Sequence, residues 1–375
     1  MEPLTQGITP QKYLCDIRKS TVWVDVMFVV DSSAAMTKTG FAEVTQFIAA
    51  SMRDLSVGQM PTQTRVGFIT YSDDAKLVYD LTYWRSTNDL ISKLSLPYSG
   101  SSGTNMAAAL QMANGVFNSR SHRLNVPKVI VVIAAGYKKN SESPVPAANT
   151  FKDFGGILIT VEYLQEGGIP VPILTKIASE GYSTGNQHDN LNYDTLATML
   201  GRANCFCPDN YVPYLNSRPE YGCYRAARMP AERSGAERSC GLEHNGKLVK
   251  VENYQKAEFL MNMKPALKSE ALIGLKRCCG QQFQWQDGSK LTPYDFTMWY
   301  NNVAPKTGDE CVSMSFDNWN GKYFWKSHSC TKGLPYVCEI APCSSTNYCS
   351  EPLMLRRQAH RMYMAPIKQE AEKQP

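Results

Sequence analysis

The cysteines are spread too unevenly for one uniform fold. Of twelve in this chain of 375 residues, only Cys15 lies in the first two hundred positions, whereas Cys205, Cys207, Cys223, Cys240, Cys278, Cys279, Cys311, Cys330, Cys338, Cys343 and Cys349 fill the remainder. The C-x2-C…C-x2-C spacing of a zinc site is absent, so disulfides formed in an oxidising compartment are the reading that fits. A thiol-poor first part followed by a disulfide-bonded second part means more than one domain, in line with the usual ~100–200 residues per domain.

An oxidising compartment calls for export, yet the opening MEPLTQGITPQKYLC holds no apolar stretch of the ~7–15 residues that a signal core needs. The expectation is a secreted, extracellular protein whose signal peptide is not visible in this chain. No N-x-S/T sequon adds support for that location. The run Val22 to Val30 is too short and too interrupted by Asp25 to cross a bilayer, and no other run approaches the ~20 apolar residues required. Lys and Arg number 39 against 34 Asp and Glu, a formal charge of +5, too weak and dispersed for a nucleic-acid surface.

Between Thr21 and Leu200, the segments WVDVMFVVD, RVGFITY, KVIVVIAAG and GGILITVEYL are apolar runs of strand length. Phe41, Val44, Ile48, Met52 and Leu55 recur at helical spacing between them, as do Met106, Leu110, Ala113 and Phe117. Strand and helix in alternation predict an α/β doubly wound, mostly parallel sheet covered on both faces. Such sheets bind ligands beyond the carboxyl ends of their strands. There the first strand runs into Asp31-Ser32-Ser33-Ala34-Ala35-Met36, and Ser102-Gly103-Thr104-Asn105 opens a later helix. On these residues, positions 20–205 resemble the von Willebrand factor A family, whose adhesion site holds a metal with D-x-S-x-S, a Thr and a second Asp.

The resemblance implies Asp31, Ser33 and Thr104 as metal ligands. Ala35 and Ala135 stand where the second Ser and second Asp belong, and Lys138 and Lys139 follow with charge that opposes a cation. The expectation is therefore a domain without a bound metal, its Asp and hydroxyls capping a loop and helix, with Mg2+ or Ca2+ as the alternative cofactor. Asp73-Asp74 reads as a turn between neighbouring strands. No G-x-G-x-x-G follows the first strand, and neither GxxxxGK[ST] nor G-x-S-x-G occurs. The five histidines (His122, His188, His244, His328, His360) form no triad or zinc pattern, so an enzyme is not expected.

Past Leu200 the chain turns to short segments rich in aromatics, with Trp285, Trp299, Trp319 and Trp325 close together. Cys240 with LEHNGKLVKVENYQKAEFL, the stretch ALIGL, Trp285-Gln286-Asp287-Gly288, Glu310-Cys311-Val312-Ser313-Met314, Trp325 before Cys330, and Tyr336-Val337-Cys338-Glu339 occur in order. This order resembles the C-type lectin-like domain, a smaller disulfide-bonded α+β fold, over residues 207–340. The resemblance implies the pairs Cys240–Cys338, Cys311–Cys330 and Cys207–Cys223. Cys15 and Cys205 then flank the first domain and could staple its ends, and Cys343 and Cys349 are spaced for a local loop. For Cys278 and Cys279 a strained vicinal bridge and an intermolecular bond that makes an oligomer both stay open.

Sugar-binding members of that family hold Ca2+ through Glu/Gln-Pro-Asn/Asp and Trp-Asn-Asp. Here the matching stretches are Ala304-Pro305-Lys306 and Trp325-Lys326-Ser327, each with an ammonium in place of a ligand oxygen, which leaves Glu310 as the one plausible ligand. Candidate contacts to a ligand are Lys306, Trp319, Tyr323 and Lys326. The two aromatics are either sugar platforms or packing residues. The division is thus an N-terminal segment 1–19, the two domains, and a cysteine loop with an unfolded tail over 341–375. The combination resembles secreted nematode C-type lectin-like proteins that carry a von Willebrand A domain first. It implies recognition of extracellular protein or glycan partners in adhesion or innate immunity. A carbohydrate-binding lectin is the second reading, and an intracellular structural protein with reduced cysteines the third.

Overall fold

The computed structural model describes residues 15, 17–138, 140–187, 191–215, 218–263, 270–278, 282–305 and 310–349. Lys139, Cys279, Lys306, His188, His360 and the tail beyond 349 lie outside the described residues. Two compact units divide the rest, one of Cys15–Phe206 with Cys343–Tyr348, the other containing Cys207–Pro342.

In the first unit, strands β1 (Asp25–Asp31), β2 (Arg65–Tyr71), β3 (Ala75–Tyr79), β4 (Lys128–Ala134), β5 (Ile157–Glu162) and β6 (Ser183–Gly185) form one sheet in the order β3-β2-β1-β4-β5-β6. Every pairing is parallel except β2 with β3. All of β1, and all of β4 after Lys128, is buried, because helices cover both faces. Those helices are α1 (Lys38–Met52), α2 (Thr87–Lys93), α3 (Met106–Phe117), α4 (Val145–Asp153), α5 (Ile173–Ile177) and α6 (Tyr193–Ala203). Helix α1 begins where the Thr37 side chain accepts the Gly40 N–H, and its buried stripe runs through Phe41, Val44, Phe47, Ile48 and Met52. Asn105 caps α3 in the same way by accepting the Ala108 N–H.

Two polar clusters anchor the far end of this sheet. Asp25, fully buried at the start of β1, takes the Arg123 guanidinium at 2.6 and 2.9 Å, the Arg123 N–H at 2.9 Å and His122 Nδ1 at 2.9 Å. Burial works against its ionisation, but His122 and Arg123 outweigh it and hold the carboxyl below its ordinary value. Nearby, Asn204 Oδ1 accepts the Trp23 N–H at 3.0 Å, and the buried Trp23 indole donates to the Ser344 carbonyl at 3.1 Å. Trp23 also meets Phe206 and Tyr348 edge-on. The segment Cys343–Tyr348, expected as part of a separate loop and tail, is thereby incorporated in the first unit. It packs on the Trp23 indole, which is 1% exposed.

The second unit contains β7 (Val212–Leu215), β8 (Arg218–Ala231), α7 (Arg233–Gly241), β9 (Lys247–Leu248), α8 (Tyr254–Met261), β10 (Glu270–Cys278), β11 (Gln282–Trp285), β12 (Cys311–Asp317), β13 (Lys322–His328) and β14 (Leu334–Ile340). Its sheet runs β13-β12-β10-β14-β8-β7, with β11 beside β10 and β9 beside β14. Arg233 is buried and ties α7 to β10 by donating to the carbonyls of Ile273, Gly274 and Leu275 while pairing with Glu237. Disulfides join Cys15 to Cys205, Cys207 to Cys223, Cys240 to Cys338 and Cys311 to Cys330. Cys343 and Cys349 are disulfide-bonded as well, and Cys278 is a free thiol.

Candidate functional site

At the carboxyl end of β1, three loops converge. Asp31 closes β1 with its carboxylate fully buried, Oδ1 accepting the Ser33 N–H at 2.9 Å and Oδ2 the Ala135 N–H at 3.2 Å. Burial raises its pKa, and the Ser33 hydroxyl with the N–H groups of Ser33, Ala135 and Gly136 only partly offsets that. Thr104, also buried, accepts the Lys138 N–H at 2.9 Å and lies 3.3 Å from the Ser141 hydroxyl. The turn after β4 therefore holds both Asp31, through Ala135, and Thr104, through Lys138. The Ala34 N–H donates to Ser101 O at 2.8 Å, which draws the Ser32–Met36 loop onto the segment before α3.

Asp31, Ser33 and Thr104 are thus brought to one end of the sheet. The buried Ser33 hydroxyl makes no well-aligned hydrogen bond, and neither does the Tyr71 hydroxyl, whose pKa burial pushes well above 10.0. Ala35 and Ala135 lie on the two loops that follow β1 and β4 at this end. A Cβ built on Gly136 would fall 2.9 Å from that of Ala35, so the two loops approach closely at that point. A divalent cation of the Ca2+ or Mg2+ type takes about six or more oxygens. Among the described residues this end offers the Asp31 carboxylate, already bonded to backbone N–H groups, the Ser33 and Thr104 hydroxyls, and the Ser141 hydroxyl beside Thr104. Asp73-Asp74 forms the turn between β2 and β3, and the Asp73 carbonyl accepts Asn105 Nδ2 at 3.2 Å at the rim of this end.

In the second unit, Trp285, Trp299 and Trp325 are buried and meet edge-on. Lys326 does not stand free. Its ammonium lies 3.3 Å from Glu270 Oε1, and Lys332 reaches the other oxygen at 3.1 Å. Burial opposes ionisation of Glu270, but the Ser313 hydroxyl and these two lysines hold its pKa below the ordinary value. Glu310 is exposed, and its carbonyl accepts the Arg277 N–H. Tyr323 packs between Phe316 and Tyr254. Trp319 alone of the named aromatics projects from the body, 97% exposed on the turn between β12 and β13.

Sequence reasoning did not anticipate one buried ionic cluster. Lys256 on α8, 2% exposed, lies 2.8 Å from Glu252 Oε2 and 3.2 Å from Glu339 Oε1, with its ammonium 5.0 Å from the Tyr224 ring centre. The i,i+4 spacing of Glu252 and Lys256 was the visible signal, but such spacing normally marks a solvated helix face.

Residues 25–199 match the von Willebrand factor type A domain and residues 230–340 the lectin C-type domain. The chain is 27% identical to C-type lectin domain-containing protein 160 of Caenorhabditis elegans over a 365-residue alignment that covers 90% of this chain and 56% of that protein. It therefore spans little more than half the length of that relative. To human matrilin-1 it is 30% identical over 148 residues, 38% of this chain and 29% of matrilin-1. The solved C-type lectin domain of murine dendritic cell inhibitory receptor 2, in complex with N-glycan, aligns with 36% of this chain and 98% of its own, at 18% identity and a TM-score of 0.31. With a doubly wound sheet ahead of a disulfide-bonded second unit, the chain carries a von Willebrand factor type A domain followed by a C-type lectin domain.

Proposed function

We propose that this protein is a secreted, non-enzymatic recognition protein that binds extracellular protein or glycan ligands without a cation at either position where its two families hold one. The observation that carries this reading is the state of Asp31. Both its oxygens already accept backbone N–H groups, and Ala35 and Ala135 offer methyls where a cation would need oxygen. In the lectin domain, Lys326 supports the same reading, because it stands in the Trp325-Lys326-Ser327 stretch where a ligand oxygen is needed, and an ammonium paired with Glu270 has no lone pair to give a cation. The disulfides, and the likeness to matrilin-1, support an extracellular setting.

Titration calorimetry with Mg2+ tests the first position. The native chain is expected to give no saturable heat from that domain, whereas the double substitution Ala35→Ser with Ala135→Asp, which supplies the missing hydroxyl and carboxylate, is expected to bind. Saturable Mg2+ binding by the native chain that Asp31→Asn abolishes would contradict the proposal.

A further inference from the structure

The sheet of the first unit ends on β6, and the outer side of that strand opens into a cavity of about 1160 Å³. The Thr160 N–H donates to the Tyr182 carbonyl at 2.9 Å and the Asn186 N–H to the Glu162 carbonyl at 3.1 Å, so Tyr182, Thr184 and Asn186 turn their backbone toward β5. In a parallel pair the residues between them turn theirs away. The N–H and C=O groups of Ser183 and Gly185 therefore point outward, without a partner among the described residues. Asn186 fixes the edge from behind, its Oδ1 accepting the Leu164 N–H at 2.7 Å and its amide donating to the Leu164 carbonyl at 2.9 Å.

The cavity wraps this edge. Leu174 of α5 packs on one face of the sheet and Leu191, ahead of α6, on the other, and both line it together with Ser183, Thr184 and Gly185. A slot walled on both faces admits one strand laid along β6 and bars the edge of a second sheet that carries its own covering helices. One free N–H and one free C=O at every second residue match the main chain of an extended peptide. The charge in the slot is negative. Glu162 and Asp194 line it, and no Lys, Arg or His does so among the described residues. Asp194 pairs with Lys19, whereas Glu162 is oriented by the Val171 N–H and the Gln187 amide and has no cation beside it among the described residues.

We propose that β6 is a docking edge for an extended peptide strand of a protein partner, which adds to the sheet beside Ser183 and Gly185 and sets a Lys or Arg side chain against Glu162. Main-chain hydrogen bonds hold such a strand, and the carboxylate selects its sequence. The assignment rests on the reading of this chain as a recognition protein, but not on whether Asp31 holds a cation.

The test pans random octapeptides displayed on phage against the oxidised full chain, then measures the enriched sequences as fluorescent synthetic peptides by polarisation, in EDTA and in Mg2+. The enriched peptides are expected to carry a Lys or Arg and to bind alike in both buffers. Exchanging that residue for norleucine, and separately N-methylating alternate amides, should each weaken binding by about tenfold, and neither change touches the protein's own fold. Ser183→Pro should weaken it as much and melt with the native chain, because the N–H it removes faces away from β5. Glu162→Gln should weaken the Lys or Arg peptide and spare the norleucine one. Peptides indifferent to both Ser183→Pro and N-methylation overturn the docking edge and leave the recognition reading standing, as does panning that enriches nothing. Binding that appears only in Mg2+ and survives Ser183→Pro overturns the edge and the cation-free reading together. A chain that sediments as a dimer and becomes a monomer with Ser183→Pro seats a second copy on β6 and overturns the partner peptide.

Discussion

Replacing Cys240 and Cys338 together by alanine is expected to cost the lectin domain roughly 4–5 kcal/mol, because this bridge closes a loop of 98 residues and its loss frees that much of the unfolded chain. Both sulfurs are fully buried in a cluster with Ala236, Leu248, Leu272 and Ile340, so the substitution also thins a packed region. The bridge joins the last turn of α7 to the middle of β14, next to the pairing of β14 with β8 and β9. By comparison, the 19-residue separation of Cys311 and Cys330 gives a loop term of about 3 kcal/mol. Denaturant unfolding followed by tryptophan fluorescence measures both. A double alanine variant at 240 and 338 that is less destabilised than one at 311 and 330 would contradict the loop-length account.

Lys256→Met is expected to destabilise the same domain by about 3–5 kcal/mol near neutral pH, because it keeps the side chain's bulk but leaves the Glu252 and Glu339 carboxylates buried without their shared cation. Glu339 retains the Tyr224 hydroxyl at 3.0 Å and the Lys250 N–H at 3.0 Å, so Glu252 loses more. The pH dependence follows from its direction of shift. Burial, over the opposing pull of Lys256, already raises the folded pKa of Glu252 above the ordinary 4.5. A raised folded value stabilises the fold fully below the unfolded pKa, and that contribution is lost as pH rises through the folded one. Removing Lys256 raises the folded value further and widens this window. The deficit of the variant should therefore be largest at neutral pH and shrink as pH falls through the raised folded value, where the carboxyl takes up a proton, toward the unfolded value near 4.5. Denaturant midpoints at two pH values check this, and a deficit that is equal at both would contradict it.

The doubly wound sheet was legible because its central strands are buried on both faces, which forces the continuous apolar runs of β1, β2, β4 and β5 into the sequence. Strands β3 and β6 left no such trace, being short edge strands with half-exposed or exposed side chains. Asp31, Ser33 and Thr104 were legible through their positions at strand and helix ends, and the fold does bring them together.

The lectin-domain candidates separated for reasons that only tertiary contacts reveal. Trp319 and Trp325 are six residues apart and the same residue type, yet one caps a turn in water and the other fills the core. Lys326 looked available from its neighbours in the chain, but Glu270, distant in sequence, takes its charge. Trp23 required the return of Ser344 and Tyr348 from the far end of the chain, a contact that no local pattern encodes.

The central claim is recognition without a cation, and the most direct measurement is a melting curve of the oxidised full chain in Ca2+, in Mg2+ and in EDTA. A ligand that binds only the folded state raises its stability, by about 2.7 kcal/mol at a hundredfold excess over Kd. The account predicts superimposed transitions for both domains in all three conditions. A transition raised by Ca2+ or Mg2+ and returned by the chelator would contradict it, and the transition that moves would show which domain holds the ion.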